Sequence, residues 1–278
     1  MSVSRPQTPA LTLCTIGDLI LDVIVLPDRK LAADADTPAT IRFAAGGQAA
    51  NVAAWASALG ARSRLICKRG TDQASRLAGD ELARHGVEIC GPVVEGRGGV
   101  VVSLRESTGG RTMASDRGVA SLLAPEEIDP GWIEPCDVLH VSGYCLLGEP
   151  MAEAAVAAAR LASRVTVDLA SAHDIEVVGA ARFAARLHAL NPALAFATEA
   201  ERAAVPGFDT TWVIKHGPRG ASFPEGFHPA PGAASAVDAT GAGDALAAGY
   251  LVGGPACAIE SAARCVAVVG AMPPDGRL

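Results

Sequence analysis

Apolar segments with strand character alternate with helical segments through the middle of the chain. Strands are predicted at residues 137–142, 165–169, 194–197 and 212–215, and helical patterns separate them. Alternation of this kind produces a mostly parallel sheet with helices on both faces. A further buried strand, predicted at 11–16, extends the pattern towards the N-terminus. We therefore predict an α/β fold with a mostly parallel central sheet.

Several polar side chains lie at the predicted ends of these strands. Asp22, Ser142, Asp168 and Lys215 are all in such positions. Ligands of open α/β sheets bind beyond the carboxyl ends of the strands, so these residues are candidates for a binding site. A lone Asp at a strand end is also a common turn former, which leaves two readings open for Asp22.

A second, smaller sheet is predicted to lie apart from the main body. Short strands are predicted within residues 31–43 and on both sides of the Ser-Thr-Gly-Gly segment at 107–110, which is typical of a hairpin turn. We expect a single α/β domain spanning 1–278. Its small β lid would be formed by residues 31–45 and 96–117.

The composition permits a large core and disfavours several classes of partner. Hydrophobic residues make up 50% of the chain and charged residues 19%. A net charge of −7 argues against a surface that binds nucleic acid, and no basic run suggests a membrane contact. The seven cysteines include no C-x-x-C pair, which favours reduced thiols over disulfides or a zinc site. We predict a cytoplasmic protein with no nucleic-acid or membrane partner.

A glycine turn that opens an apolar helix occurs late in the chain, within residues 237–250. The turn is Gly241-Ala242-Gly243, and Asp244 follows in the first turn of the helix. Backbone N–H groups at such a helix start are unpaired and favour an anion. A carboxylate there could deprotonate a hydroxyl while the amides hold the charge of a transferring phosphoryl group. An ordinary acidic residue at a helix N-terminus is the alternative, because that position favours negative charge in any helix.

An earlier helix also begins at glycines. Gly46 and Gly47 interrupt a strand, and an alanine-rich helix then runs to Gly60. Asn51 lies in its opening turns among small apolar neighbours. A buried Asn needs hydrogen-bond partners, so it either ties down a neighbouring loop or holds a ligand hydroxyl.

Motifs of several other enzyme classes are missing from the sequence. It contains no G-x-x-x-x-G-K-[ST] segment, no complete G-x-G-x-x-G and no G-x-S-x-G. The six histidines form no H-x-H or H-x-x-x-H pair. P-loop, dinucleotide-binding, serine-hydrolase and zinc-dependent chemistries are therefore disfavoured.

Two segments together resemble the signatures of the ribokinase-like carbohydrate kinases, a family that includes minor phosphofructokinases and adenosine kinases. They are G-G-x-x-x-N at 46–51 and D-x-T-G-A-G-D at 238–244. The segments H-V-S-G-Y at 140–144 and K-H-G-P-R-G-A at 215–221 also occur in family order. The resemblance covers nearly the whole chain. It implies a ribokinase-like fold and an ATP-dependent, Mg²⁺-requiring kinase that phosphorylates a hydroxyl of a sugar or sugar-like substrate.

The resemblance also implies roles for individual residues. Asp244 would be the general base. The anion hole would consist of the amides of Gly241, Ala242 and Gly243. The sugar hydroxyls would be held by Asp22, Gly46, Gly47 and Asn51. The nucleotide would be bordered by Lys215, Gly217, Gly220 and Thr240. Glu201 would act indirectly on Mg²⁺, Asp238 would belong to a loop for a monovalent cation such as K⁺, and the lid would provide the contact of a homodimer.

The sequence departs from the family pattern at three positions. Thr198 stands where the N-x-x-E segment has Asn, Leu246 replaces a Phe, and Ile20 replaces the polar residue of ribokinase itself. The change at Ile20 argues against ribose as the acceptor. A nucleoside kinase and a non-catalytic sugar or nucleotide sensor are the alternatives. A sugar phosphate is less expected, because the substrate loops are poor in Lys and Arg, although the lid side carries arginines at 105, 111 and 117.

Overall fold

The computed structural model describes residues 10–105, 111–232 and 236–274. In chain order the strands are β1 (Thr12–Ile16), β2 (Ile20–Pro27), β3 (Ala39–Gly46), β4 (Arg62–Ile66), β5 (Arg69–Gly70), β6 (Glu88–Cys90), β7 (Val93–Val94), β8 (Gly99–Arg105), β9 (Arg111–Asp116), β10 (Val138–Ser142), β11 (Val165–Asp168), β12 (Leu194–Thr198), β13 (Thr211–Lys215), β14 (Gly220–Phe223) and β15 (Gly226–Pro229). The α-helices are α1 (Gln48–Ala58), α2 (Gln73–Arg84), α3 (Met151–Leu161), α4 (Ala172–Val178), α5 (Ala180–Leu190), α6 (Glu199–Ala203) and α7 (Ala242–Val266).

The main body is built on a nine-stranded sheet in the order β15-β14-β13-β12-β11-β10-β1-β4-β6. The pairs from β13 to β6 are parallel, and β14 and β15 add an antiparallel hairpin at one edge. Every residue of β10 and β11 is buried, as expected for strands covered on both faces. This arrangement confirms the predicted α/β fold.

Helices cover the two faces of this sheet. On one face, α3 and α5 pack against inward-facing residues such as Leu139 and Ala195. On the other, α1 and α7 pack against Leu13 and Phe196. The pairing of α1 with α7 is what brings the two glycine-initiated helices of the sequence side by side.

Trp55 links α1 to the segment after α7. Its side chain is fully buried, and its Nε1 donates a hydrogen bond to the carbonyl oxygen of Ala271 over 2.8 Å. Truncation of a buried tryptophan costs about 3–5 kcal/mol of folding free energy. This contact therefore helps to fix the position of the α7 N-terminus, because Ala271 also lies against Gly241.

The lid is a separate four-stranded sheet in the order β3-β2-β8-β9. It differs from the sequence expectation in two ways. β3 begins at Ala39, later than expected, and β2 is a lid strand that the sequence did not indicate. β2 is apolar along most of its length, so it lacks the alternation of apolar and polar residues that identifies a half-exposed strand. Asp22 consequently lies inside β2 and not at a strand end. The expected hairpin turn at 107–110 falls outside the described residues.

The strand register of the lid puts Asp22 and two arginines on one face. Asp22 pairs with Val101 of β8, and Arg105 of β8 pairs with Arg111 of β9. Side chains alternate along a strand, so Asp22, Val101, Arg105 and Arg111 project to the same side. We call this side the inner face of the lid.

α7 is interrupted near its middle. Gly254 has φ 76° and ψ −165°, and Pro255 follows it, so the helix kinks between two halves. By length and composition alone α7 could cross a membrane. In the fold its first half instead contributes Ala245, Leu246 and Ala247 to the core cluster shared with α1.

All seven cysteines are free thiols, and Cys257 is the least buried of them.

Candidate active site

The glycine turn lies at the N-terminus of α7, as the sequence predicted. Gly241 is the N-cap and has a left-handed φ of 76°. A Cβ there would lie 2.5 Å from the Cβ of Ala271, so both conformation and space require glycine. The first hydrogen bond of the helix runs from Ala245 N to the Gly241 carbonyl oxygen over 2.9 Å, while Ala242 N donates to Ala239 over 3.3 Å. The N–H groups of Gly243 and Asp244 precede that first helical bond.

Asp244 meets Asn51 across the junction between α7 and α1. The Nδ2 of Asn51 donates a hydrogen bond to Oδ2 of Asp244 over 2.7 Å. Burial raises the pKa of Asp244 to about 7, against the lowering effect of this hydrogen bond. The other amide atom, Oδ1 of Asn51, is buried and has no hydrogen-bond partner in the part of the chain that the structure describes.

Asp22 approaches the end of β3 so closely that only glycine fits beside it. A Cβ at Gly46 would lie 2.3 Å from Oδ2 of Asp22. Gly47 has φ 100°, and a Cβ there would lie 2.3 Å from the backbone oxygen of Asp18. Burial raises the pKa of Asp22 to about 7, and the positive charge of Arg111 opposes the shift. The paired glycines therefore make room for the lid carboxylate and for the chain around it.

Lys215 lies at the end of β13 and against the α7 turn. Its Nζ is 2.8 Å from each carboxylate oxygen of Asp168 and 4.0 Å from Oε2 of Glu201. A Cβ at Gly243 would be 3.3 Å from the same Nζ. Burial lowers the pKa of Lys215, but the two carboxylates outweigh burial and hold it above the ordinary value. The site therefore contains a permanent ammonium beside the helix N-terminus.

Glu201 is held in place by the residue that departs from the family pattern. Oγ1 of Thr198 accepts a hydrogen bond from Glu201 N over 3.2 Å, and Oε2 of Glu201 accepts one from Thr198 N over 2.7 Å. This reciprocal pair is a capping box at the start of α6. Thr198 thus orients a buried carboxylate, a role for which a hydroxyl is sufficient.

Gly217 and Gly220 flank the turn between β13 and β14. Both have positive φ, 58° and 116°. A Cβ at Gly220 would lie 2.1 Å from the backbone oxygen of His228, which explains that glycine by the close approach of β15. No atom of the described residues lies within 4 Å of a Cβ at Gly217, so its local backbone conformation alone favours glycine.

The loop before the glycine turn is tied to two lid arginines. Oδ1 of Asp238 accepts hydrogen bonds from Thr240 N over 3.0 Å and from Thr240 Oγ1 over 2.7 Å, and Oδ2 accepts one from Gly270 N over 3.0 Å. Arg105 contacts the same carboxylate, and Arg111 donates a hydrogen bond to Thr240 Oγ1. The lid therefore reaches the α7 N-terminus directly.

The sequence did not assign roles to several residues that complete this region. Asp168 was noted only for its strand-end position, yet it is fully buried and binds Lys215. Oε1 of Gln48 accepts hydrogen bonds from Ser142 Oγ over 2.6 Å and from the next backbone N–H. Arg117 forms an ion pair with Asp18, and its guanidinium lies 4.5 Å from the centre of the Tyr144 ring. The strand-end position was a usable signal for Asp168, whereas no sequence pattern marked the other pairs.

The chain is similar to several known proteins. A protein of Halopiger xanaduensis named ATP-dependent ribose-1-phosphate kinase is 34% identical over 246 residues, which cover 84% of this chain and 82% of that protein. The adenosine kinase of Sinorhizobium meliloti superposes with a TM-score of 0.82 at 20% identity, over 96% of this chain and 97% of the other. A ribokinase II candidate from E. coli, solved with ATP and Mg²⁺, has a TM-score of 0.79 at 19% identity over 94% of both chains.

The family resemblance found in the sequence extends over almost the full length. The sequence model of the pfkB family carbohydrate kinases matches residues 10–272 of this chain. The two solved structures share the overall fold of this chain. The chain therefore belongs to the pfkB family of carbohydrate kinases and is a phosphotransferase with an alcohol group as acceptor.

Proposed function

We propose that this protein transfers the γ-phosphoryl group of ATP to a hydroxyl of a sugar or sugar-like substrate, with Asp244 as the general base. The observation that carries the proposal is the position of Asp244 in the first turn of α7, with its pKa raised to about 7. A base with a pKa near the working pH combines a useful ionised fraction with affinity for the proton. In the proposed reaction Asp244 takes the hydroxyl proton as the oxygen attacks the phosphorus.

The charge that develops on the transferring group would be held by the turn beside this base. Gly241, Ala242 and Gly243 form the anion hole in this proposal, and the N–H of Gly243 is well suited because it precedes the first helical hydrogen bond. The ammonium of Lys215 lies against Gly243 and adds a full positive charge. Preorganised donors of this kind contribute about 10²–10³ in rate each.

The acceptor would bind between Asp22, Gly46, Gly47 and Asn51. The buried Oδ1 of Asn51 has no hydrogen-bond partner among the described residues, and a substrate hydroxyl would supply the missing donor. Asp22 presents a carboxylate on the inner face of the lid, which suits adjacent hydroxyls of a sugar. In this arrangement a single amide side chain positions the base and touches the acceptor.

The nucleotide would occupy the side of the site near Lys215, Gly217, Gly220 and Thr240. The described residues contain no group of three or more metal-ligating side chains. Mg²⁺ commonly binds through substrate phosphates, waters and one or two carboxylates. Glu201, held by its capping box with Thr198, would act indirectly on Mg²⁺, and Mg²⁺ would supply charge neutralisation on the phosphate oxygens.

A phosphorylated sugar is the second candidate acceptor, and a specific observation favours it. Arg111 lies on the inner face of the lid with Asp22, and its positive charge opposes the rise that burial causes in the pKa of that carboxyl group, so a cation faces the acceptor region. The Halopiger relative is named for a phosphorylated ribose. Both observations make a sugar phosphate a stronger candidate acceptor than the scarcity of Lys and Arg in the substrate loops suggested.

A screen of acceptors separates the remaining alternatives. ADP release and thermal shift are measured with ATP and Mg²⁺ across sugars, sugar phosphates and nucleosides, with Asp244→Asn as the control. We expect turnover with one class of sugar or sugar phosphate that the control variant lacks. Turnover with nucleosides only would select the nucleoside kinase, and binding without turnover of any acceptor would select the non-catalytic sensor.

The outer face of the lid supports a proposed homodimer. Ile41 and Phe43 are 55% and 60% exposed, and the register puts Val23, Val25 and Val102 on the same face. An exposed apolar patch on a sheet is commonly an interface. Light scattering after size exclusion should give a dimer for the wild type and a monomer for Phe43→Glu. We also propose a cytoplasmic location, in keeping with seven free thiols.

A further inference from the structure

The family resemblance implies that the loop at Asp238 holds a monovalent cation such as K⁺. The contacts of the residues in this loop can be compared with what such an ion needs. A K⁺ site needs oxygen atoms with lone pairs directed at the ion. Each carboxylate oxygen offers about two lone-pair positions. Oδ1 of Asp238 already accepts two donors, the N–H and the hydroxyl of Thr240. Oδ2 accepts Gly270 N–H, which leaves one position.

Arg105 faces that oxygen as an ion-pair partner, without a hydrogen bond to it. Its Nη1 lies 3.6 Å from Oδ2 of Asp238, and its Nη2 donates a hydrogen bond to the carbonyl oxygen of Val237 over 2.5 Å. The guanidinium therefore contacts a carboxylate oxygen and a backbone oxygen, which are the kinds of atom that an alkali cation would contact. The residues at this loop do not fit a bound K⁺ together with Arg105.

Because both side chains are largely buried, the ion pair between Arg105 and Asp238 is energetically important. Asp238 is 7% exposed and the side chain of Arg105 is 19% exposed, so solvent screens the pair only weakly. Burial raises the pKa of Asp238, but the hydrogen bonds and Arg105 outweigh burial and hold the pKa below the ordinary value. A buried carboxylate that stays ionised needs a nearby positive charge.

We propose that the Arg105 guanidinium is a built-in replacement for a monovalent cation at the Asp238 loop, so that this kinase works without K⁺. Arg105 is a positioning residue in this proposal. It acts on Asp238 and Val237, which lead into the turn at Gly241, and it does not touch the reacting atoms. Arg105 belongs to β8, so its positive charge is carried by the lid. The position of the lid is therefore coupled to the shape of the anion-hole turn.

The proposal rests on the proposed function only in its activity arm, and the test has a second arm that needs no substrate. Thermal melting is measured in KCl and in tetramethylammonium chloride at equal ionic strength, with ATP added as its Tris salt where ATP is present. The wild type should melt at the same temperature in both salts. Arg105→Ala should melt at a lower temperature in tetramethylammonium chloride and recover specifically in KCl, because K⁺ binds the folded loop.

The activity arm uses the acceptor found in the screen. The wild type should turn over equally in both salts. Arg105→Ala should lose on the order of 10²-fold in rate in tetramethylammonium chloride and regain most of it in KCl. Arg105→Lys keeps a cation and should remain independent of K⁺. Arg97→Ala is the matched control, because Arg97 is an exposed arginine paired with Asp116 of the lid, and it should respond to neither salt.

Two outcomes would overturn the proposal. A wild type that is stabilised or activated by K⁺ would mean that Arg105 does not replace the ion. An Arg105→Ala variant that is folded but indifferent to K⁺ in the melting arm would mean that the loop has no cation requirement. If no acceptor is turned over, the kinase proposal fails while the melting arm still decides the role of Arg105.

Discussion

Asn51 and Asp244 are 193 residues apart in the sequence and share a hydrogen bond of 2.7 Å between Nδ2 and Oδ2. Each residue lies in the opening turns of a helix that begins at glycine, and the packing of α1 on α7 brings them together. An amide donor fixes the orientation of the carboxylate and moderates its pKa, which burial raises to about 7. Nδ2 of Asn51 and Oδ2 of Asp244 are thus engaged with each other, and Oδ1 of Asn51, which has no hydrogen-bond partner among the described residues, is available to a substrate.

Replacement of the proposed base provides the most direct test. Asp244→Asn keeps the shape of the side chain and removes its ability to accept a proton. We expect turnover to fall by about 10²–10⁴ while binding of acceptor and ATP changes little. Steady-state rates and calorimetric affinities check both statements. A variant that retained near-parental turnover would remove Asp244 from the chemistry.

The pH dependence of kcat/KM should have a steep acidic limb. Burial raises the pKa of both Asp22 and Asp244 to about 7. Each carboxylate is needed in its ionised form, so activity is full above pH 7 and is lost as the pH falls through it. Protonation of two groups gives a limiting slope approaching two logarithmic units per pH unit. Asp22→Asn should reduce the slope to about one, and a wild-type slope of one would show that a single group controls the limb.

Asn51→Ala should shift the pH profile in a defined direction. The Asn51 hydrogen bond lowers the pKa of Asp244, so its loss leaves burial less opposed and moves the limb to higher pH. The acceptor should also bind about 2–10-fold more weakly, because the hydrogen bond between its hydroxyl and the Asn51 amide oxygen contributes about 0.5–1.5 kcal/mol. A purely structural role for Asn51 would lower thermal stability without displacing the limb.

Much of this fold could be predicted from sequence because the central strands are short apolar runs between clear helical patterns. The strand ends at Ser142, Asp168 and Lys215 were located correctly. β2 was missed, since its apolar run has no regular alternation and its carboxylate resembled a turn former. The motif residues around Asp244 could be recognised from local spacing. The partners Asp168, Arg105 and Gln48 could not be assigned, because those contacts depend on how distant elements pack.

Gly46 offers a test of the space around Asp22. A Cβ at this position would lie 2.3 Å from Oδ2 of Asp22, so Gly46→Ala must displace the carboxylate or the β3 end. We expect acceptor KM to rise by about tenfold or more with a smaller effect on the KM for ATP. Gly148→Ala is the matched control, because no atom of the described part of the chain lies within 4 Å of a Cβ there. Equal effects of the two substitutions on acceptor KM would contradict the assignment.

Arg111 distinguishes a phosphorylated acceptor from a neutral sugar. It shares the inner face of the lid with Asp22 and also donates to Thr240 Oγ1, so it can reach both the acceptor region and the α7 turn. If an acceptor phosphate binds here, Arg111→Gln should raise the KM for the sugar phosphate by about 10–100-fold, because charge-assisted hydrogen bonds are lost. The KM for the corresponding free sugar should change far less.

Comparing the kinetics of the variant with the sugar phosphate and with the free sugar separates phosphate recognition by Arg111 from its structural role in the lid. Loss of its contact with Thr240 affects both substrates equally, so only the ratio of their kcat/KM values reports on the phosphate. Arg97→Gln is the control, since Arg97 is an exposed arginine paired with Asp116 of the lid. An unchanged ratio in Arg111→Gln would assign Arg111 to the lid contact alone. A ratio that falls selectively would identify the acceptor as an anion, because a neutral sugar gains nothing from a guanidinium that a glutamine amide could not supply.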